Sequence, residues 1–167
     1  MTWRSWMWGG AFLAWFIVMM LPIAVLLIPI NVMEGDLTER LVGNIALVLC
    51  FVLIAPMHNW IRVQSGKVRL GFFPIYWKTL DISEIRYVIP VEFSPMRDFA
   101  GWGIKGLAKS RNGILLGGNP SRGLMIETHD RRRYVLSFAD AGPILQALQE
   151  HGCTLAAGIE EVLAGEV

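Results

Sequence analysis

Residues 101–106 read GWGIKG, the glycine spacing that in dinucleotide-binding proteins lets a backbone turn close around a pyrophosphate. That chemistry needs a strand leading in and a helix leading out, whose free N-terminal amides hold the anion. Here SPMRDFA precedes the motif, with a proline and no apolar strand, and only LAKSR separates Gly106 from the turn signal Asn112-Gly113. No alternation of strands and helices follows, as a doubly wound sheet would require. The glycines therefore read as a fold element, with Trp102 and Ile104 packing onto a sheet. GILLGGNPSRG lacks the Gly-Lys-Ser/Thr of a phosphate loop. Glu127, His129 and Asp130 bring carboxylates and an imidazole to one turn. With no cysteine or second histidine beside them, they read as a solvated hairpin tip rather than a metal site. No G-x-S-x-G elbow occurs, and no nucleophile has an identifiable base partner. His58, His129 and His151 are scattered, and Cys50 and Cys153 fall in different segments, so neither a zinc site nor a disulfide is expected. The sequence predicts a non-enzymatic chain without cofactor or metal.

Two basic clusters remain as candidates for binding. Lys105, Lys109 and Arg111 share one loop, and Arg131, Arg132 and Arg133 share one hairpin. Near an anionic lipid surface each such residue is worth about 1 kcal/mol, so these loops could hold lipid headgroups or an acidic partner. The aromatic residues Phe72, Phe73, Tyr76 and Trp77 invite comparison with a base-stacking platform. Basic residues are too sparsely interleaved among them for nucleic acid, and they read as core plus a rim.

The elements that must carry these residues differ between the two parts of the chain. Of the 167 residues, 54% are hydrophobic and only 17% are charged, with a net charge of +1. A globular domain averages about 25% charged residues. The deficit is concentrated: no charge lies between Arg4 and Glu34, and none between Arg40 and Arg62. Uncharged apolar runs of this length predict two transmembrane helices, at about 8–30 and 41–57. The connecting loop carries Glu34, Asp36 and Glu39 against Arg40, while Arg4, Arg62, Lys67 and Arg69 flank the other ends. Positive flanks stay cytoplasmic. A multi-pass inner-membrane protein with both termini cytoplasmic follows, with Trp3, Trp6, Trp8 and Trp60 forming one aromatic belt at the membrane interface. Gly10 and Ala14 have the small-xxx-small spacing that admits a homo-oligomer.

Beyond about Trp60 the pattern alternates. In KVRLGF, Val68, Leu70 and Phe72 share one face and Lys67 and Arg69 the other, as in a half-buried strand. IRVQ, IYWKTL, RYVIPVEF, RGLMIET and RRYVLSF read as further strands. One helix follows, capped by Asp140, with Pro143 in its first turn, an apolar stripe of Ile144, Leu145 and Leu148, and Gly152 at its end. The tail TLAAGIEEVLAGEV admits a short amphipathic helix through Leu155, Ile159 and Val162. The stretches IRVQSGKVRLGFF, DISEIRYVIPVEF, DFAGWGIKG and SRGLMIETHDRRRYVLSFADAGPILQALQ resemble those of membrane-anchored bacterial proteins with a pleckstrin-homology-like (PH-like) domain. The resemblance covers about residues 60–150. It implies a two-helix transmembrane hairpin over 1–58, an all-β PH-like barrel or sandwich over 59–152 capped by one C-terminal helix, and a tail or short helix over 153–167. It also implies a protein-binding or scaffolding module with a protein partner besides the lipid bilayer, the alternative being an anionic-lipid module using the basic loops.

Overall fold

The computed structural model describes residues 1–6 and 56–156, together with positions 42, 45, 46 and 49. The chain divides into two compact units, Met1–Met7 with His58–Val167, and Trp8–Met57. In the second unit, positions 42, 45, 46 and 49 are helical, and Val42, Ile45 and Leu49 are exposed.

The transmembrane expectation is corrected here. The segments at about 8–30 and 41–57 fall outside the described residues except at those four positions and at 56 and 57. Among the described residues no helix is long and apolar enough to cross a membrane. The fold that is described is nine strands in two sheets with helices of five and nine residues. The two-helix transmembrane fold class and the multi-pass inner-membrane location built on it are set aside. Physically, an apolar run records only that side chains avoid water, which a protein core satisfies as well as lipid does. The flank of the first run is itself a strand, not a helix approach.

That strand, β1 (Thr2–Trp6), pairs with β2 (His58–Gln64), which continues through β3 (Lys67–Phe73) and β4 (Tyr76–Asp81) as a four-stranded antiparallel meander. The turn between β2 and β3 is tight because Ser65 and Gly66 both take positive φ, 50° and 73°, the geometry that matches strand twist. Alternation then sorts the side chains. Ile61, Val63, Val68, Leu70, Phe72 and Leu80 are buried on one face, and their neighbours point away from it.

The second sheet has the order β5-β8-β9-β7-β6. It contains β5 (Ile85–Glu92), β6 (Gly103–Gly106), β7 (Ile114–Gly117), β8 (Arg122–Thr128) and β9 (Arg133–Ser137), antiparallel except for the parallel β7–β9 pair. Its inner face contributes Val88, Leu116, Leu124, Ile126, Tyr134 and Leu136 to the core. The two sheets touch through β2 against β7 and β9, and the buried Asn59 amide donates to the Ser137 carbonyl at 2.6 Å. Gly123 lets β8 and β9 close: a Cβ there would stand 1.8 Å from the Leu136 carbonyl oxygen.

Two helices are described where one was expected. Helix α1 (Pro95–Phe99) follows β5, and α2 (Gly142–Glu150) turns Ile144, Ala147 and Leu148 inward. Ala141, not Asp140, is the N-cap of α2, although the Asp140 carboxylate accepts from the Gly142 amide at 2.9 Å. Beyond α2 the chain adds to the β5 edge. Val88 N–H donates to the Thr154 carbonyl and Ala156 N–H to the Val88 carbonyl. The next rung of a parallel ladder needs an N–H at residue 90, which is proline, so the addition stops at Ala156.

Candidate functional site

Because β8 lies between β5 and β9, register alone assembles a row on the outer face of the five-stranded sheet. Tyr87 stands opposite Glu127, and Glu127 opposite Arg133. One step along, Ile89, Met125, Val135 and Leu115 form a second, wholly apolar row. Val91, Phe93, Phe99 and Ala156 pack against this floor. Helix α1 is the wall. Ser94 caps it by accepting from Arg97 N–H at 3.4 Å, while the Asp98 carboxylate accepts from Ser94 N–H at 2.7 Å. Phe93 and Phe99 meet edge to face at 5.8 Å, and the Asn112 amide donates to the Asp98 carbonyl at 2.8 Å, tying the following loop to the wall. Between floor and wall lies a trough of about 370 Å³ whose rim includes Arg111 and Arg133.

The charged end of the trough is the unusual feature. Glu127 is 0% exposed, and a carboxylate so placed requires cations. Arg133 Nε donates to Glu127 Oε2, and Arg86 Nη1 stands 3.6 Å from Oε1. Arg133 Nη1 also donates to the Arg111 carbonyl at 2.6 Å, which fixes the loop bearing Arg111 at the trough mouth. Burial lowers the tendency of Arg133 to hold its proton, but the Glu127 carboxylate more than offsets this and keeps it charged. The Tyr87 hydroxyl is buried without an aligned hydrogen-bond partner among the described residues. Burial, then the neighbouring Glu127 carboxylate, pushes its pKa up to about 12. The Arg86 guanidinium lies 5.6 Å from the centre of the Tyr87 ring. A neutral phenol and a fixed guanidinium at one end of an apolar trough can orient a polar group. Among the described residues no three His, Cys, Asp or Glu side chains gather as a metal-ligand set.

The six basic residues singled out in the sequence are dispersed. Arg111 and Arg133 meet at the trough. Lys105 extends the apolar row, opposite Leu115 on β6, and is exposed with its side chain over Gly101. Lys109 is exposed in the loop before Arg111. Arg131 takes φ 60° in the β8–β9 turn, and Arg132 pairs with Asp130 at 2.7 Å beside it. Trp3 and Trp6 lie on β1 and Trp60 on β2, while Trp8 is outside the described residues. Glu127 is a correction: it is not at a solvated tip but in the middle of a sheet. The signal was its position in RGLMIET, two residues after Met125 and thus on the same strand face. Trp102 is half-exposed and not core, lying over Gly118, where a Cβ would meet its ring at 2.6 Å. No family model, curated protein or solved structure matches the chain, so the PH-like resemblance rests on the quoted residues alone.

Proposed function

We propose that this chain is a non-enzymatic binding module whose trough receives a short protein segment presenting apolar side chains and one acidic group. The observation that carries this reading is the open apolar trough ending at a fixed guanidinium and a buried phenol. A volume of about 370 Å³ accommodates a few aliphatic side chains, and an apolar pocket with a few placed polar groups is the general form of a recognition site. Arg111, exposed at the mouth, supplies the charge for the acidic group, since Arg133 is already engaged by Glu127. Glu127 serves the site by holding Arg133, not by proton transfer.

The test is selection of random heptapeptides on the full-length protein. The expected winners carry two apolar residues and an Asp or Glu. Arg111→Gln should weaken them about tenfold, within the range for a charge-assisted hydrogen bond, and Val91→Glu should abolish binding. Winners without an acidic residue, or winners that bind Val91→Glu unchanged, would overturn the reading.

A further inference from the structure

The outer face of the four-stranded sheet is a second surface, independent of the trough, and its register sorts side chains by chemistry along the strands. At one end Trp6, His58 and Phe73 stand side by side, with the His58 ring 4.9 Å from Trp6 and 5.3 Å from Phe73. The next row is Arg4, Trp60, Gly71 and Trp77, and the one after it Thr2, Arg62, Arg69 and Thr79. The aromatic end is not covered: Trp77 is 71% exposed and Ile75, in the β3–β4 turn, 62%. The Trp60 indole lies on Gly71, where a Cβ would stand 3.0 Å from it, so that ring is held flat against the sheet.

The cationic end is equally open. Arg62 and Arg69 line a hollow of about 250 Å³. Lys67 is paired with Asp81 at 3.5 Å, but Arg4, Arg62 and Arg69 have no ion pair among the described residues.

We infer that this face docks on an anionic lipid surface, with the aromatic end at the acyl boundary and Arg62 and Arg69 on the phosphates. Two requirements of such a surface are met together. Indole rings favour the boundary between hydrocarbon and headgroups. Anionic headgroups favour arginine a short distance outward. The arginine row is two residues from Trp60, about 7 Å along a strand, comparable to the headgroup layer, which adds about 5–8 Å on each side of the hydrocarbon. A single nucleic-acid strand fits less well. It asks for cations alternating with stacked bases along one path, whereas rings and guanidinium groups are here at opposite ends of the strands. The contact is made from the water side by strand side chains and requires no segment to cross the layer.

The test uses the full-length chain carrying Cys50→Ser and an environment-sensitive fluorophore on Thr79→Cys. It is titrated with phosphatidylcholine vesicles, alone or with about 30% phosphatidylglycerol, and compared with the same label on Gln149→Cys of α2. Reading the face locally keeps the result independent of how other segments meet the vesicle. The expected result is a blue shift at position 79 on anionic vesicles only, with position 149 unresponsive. In Arg62→Gln/Arg69→Gln the titration midpoint should move about thirtyfold, two arginines at the usual worth of each near such a surface. Equal shifts on neutral vesicles, indifference to the arginine changes, or a stronger response to a single-stranded oligothymidine would each overturn the inference.

Discussion

Glu127 is the residue whose placement decides most about the trough. A fully buried carboxylate is tolerated because the strand register sets Arg133 opposite it and Arg86 close by. Removing one partner of such a pair strands the other, at a typical cost of about 3–5 kcal/mol. Glu127→Ala should therefore lower the urea midpoint far more than Arg132→Ala, whose exposed pair with Asp130 is of the weak surface kind. Equal effects would show that the buried row contributes nothing special. Tyr87 gives a pH signature. Its phenol has a pKa near 12 in the fold against 10.0 unperturbed, so the folded state holds the proton more tightly. That contribution is complete below pH about 10 and is lost as the pH rises toward 12, up to about 2–3 kcal/mol for this shift. Tyr87→Phe should flatten the loss of stability between these limits in alkaline denaturation. It should cost little at neutral pH, because the hydroxyl removed has no aligned partner.

Helix α1 holds the trough's wall with very little helix. It has five residues, so its ends decide its stability. Its C-terminal residue, Ala100, takes φ 58° and ψ 33°, a left-handed conformation that disfavours any residue with a Cβ. Ala100→Gly should raise stability by about 1 kcal/mol, and Ser94→Ala should lower it by about the same through loss of the cap; thermal melts of the two variants would read both signs. A fall in melting temperature for Ala100→Gly would disprove the strain. This helix also marks where the sequence was legible and where it was not. The strand at 67–73 announced itself because Val68, Leu70 and Phe72 alternate with Lys67 and Arg69, one face wet and one dry. Strands buried on both faces, such as β8, gave an apolar run without alternation, which hid Glu127 among Leu124, Met125 and Ile126. SPMRDF is too short for any helical period, so α1 could only have been inferred from Ser-Pro followed by Asp at the cap spacing. TWRSW was read as a flank because its partner strand lies more than fifty residues away, a pairing no local pattern records.

The trough and the aromatic–arginine face lie on the outer sides of two different sheets, with the shared core of Ile61, Leu70, Leu124, Leu136 and their neighbours between them. Side chains at the two sites share no hydrogen bond or ion pair among the described residues, and changes that share no partner combine additively to within a few tenths of a kcal/mol. Both surfaces also belong to residues that are exposed or half-buried, so they can be altered without opening the core: Arg62 and Arg69 on one side, Val91 and Arg111 on the other. Arg62→Gln/Arg69→Gln should leave peptide binding at the trough within about twofold, the size of that additivity error. Arg111→Gln should leave the fluorescence response of the labelled Thr79→Cys chain unchanged. A reciprocal loss, in which each change weakens both events by the same factor, would mean that the two sheets shift against one another as ligands bind. Equality of the two factors would be required, because coupling free energy between two binding events is the same read from either side. Against that outcome stands the packing itself. The buried Asn59–Ser137 bond joins β2 to β9, and a Cβ at Gly117 would meet both side chains at 3.0 Å, which leaves little room for one sheet to slide over the other.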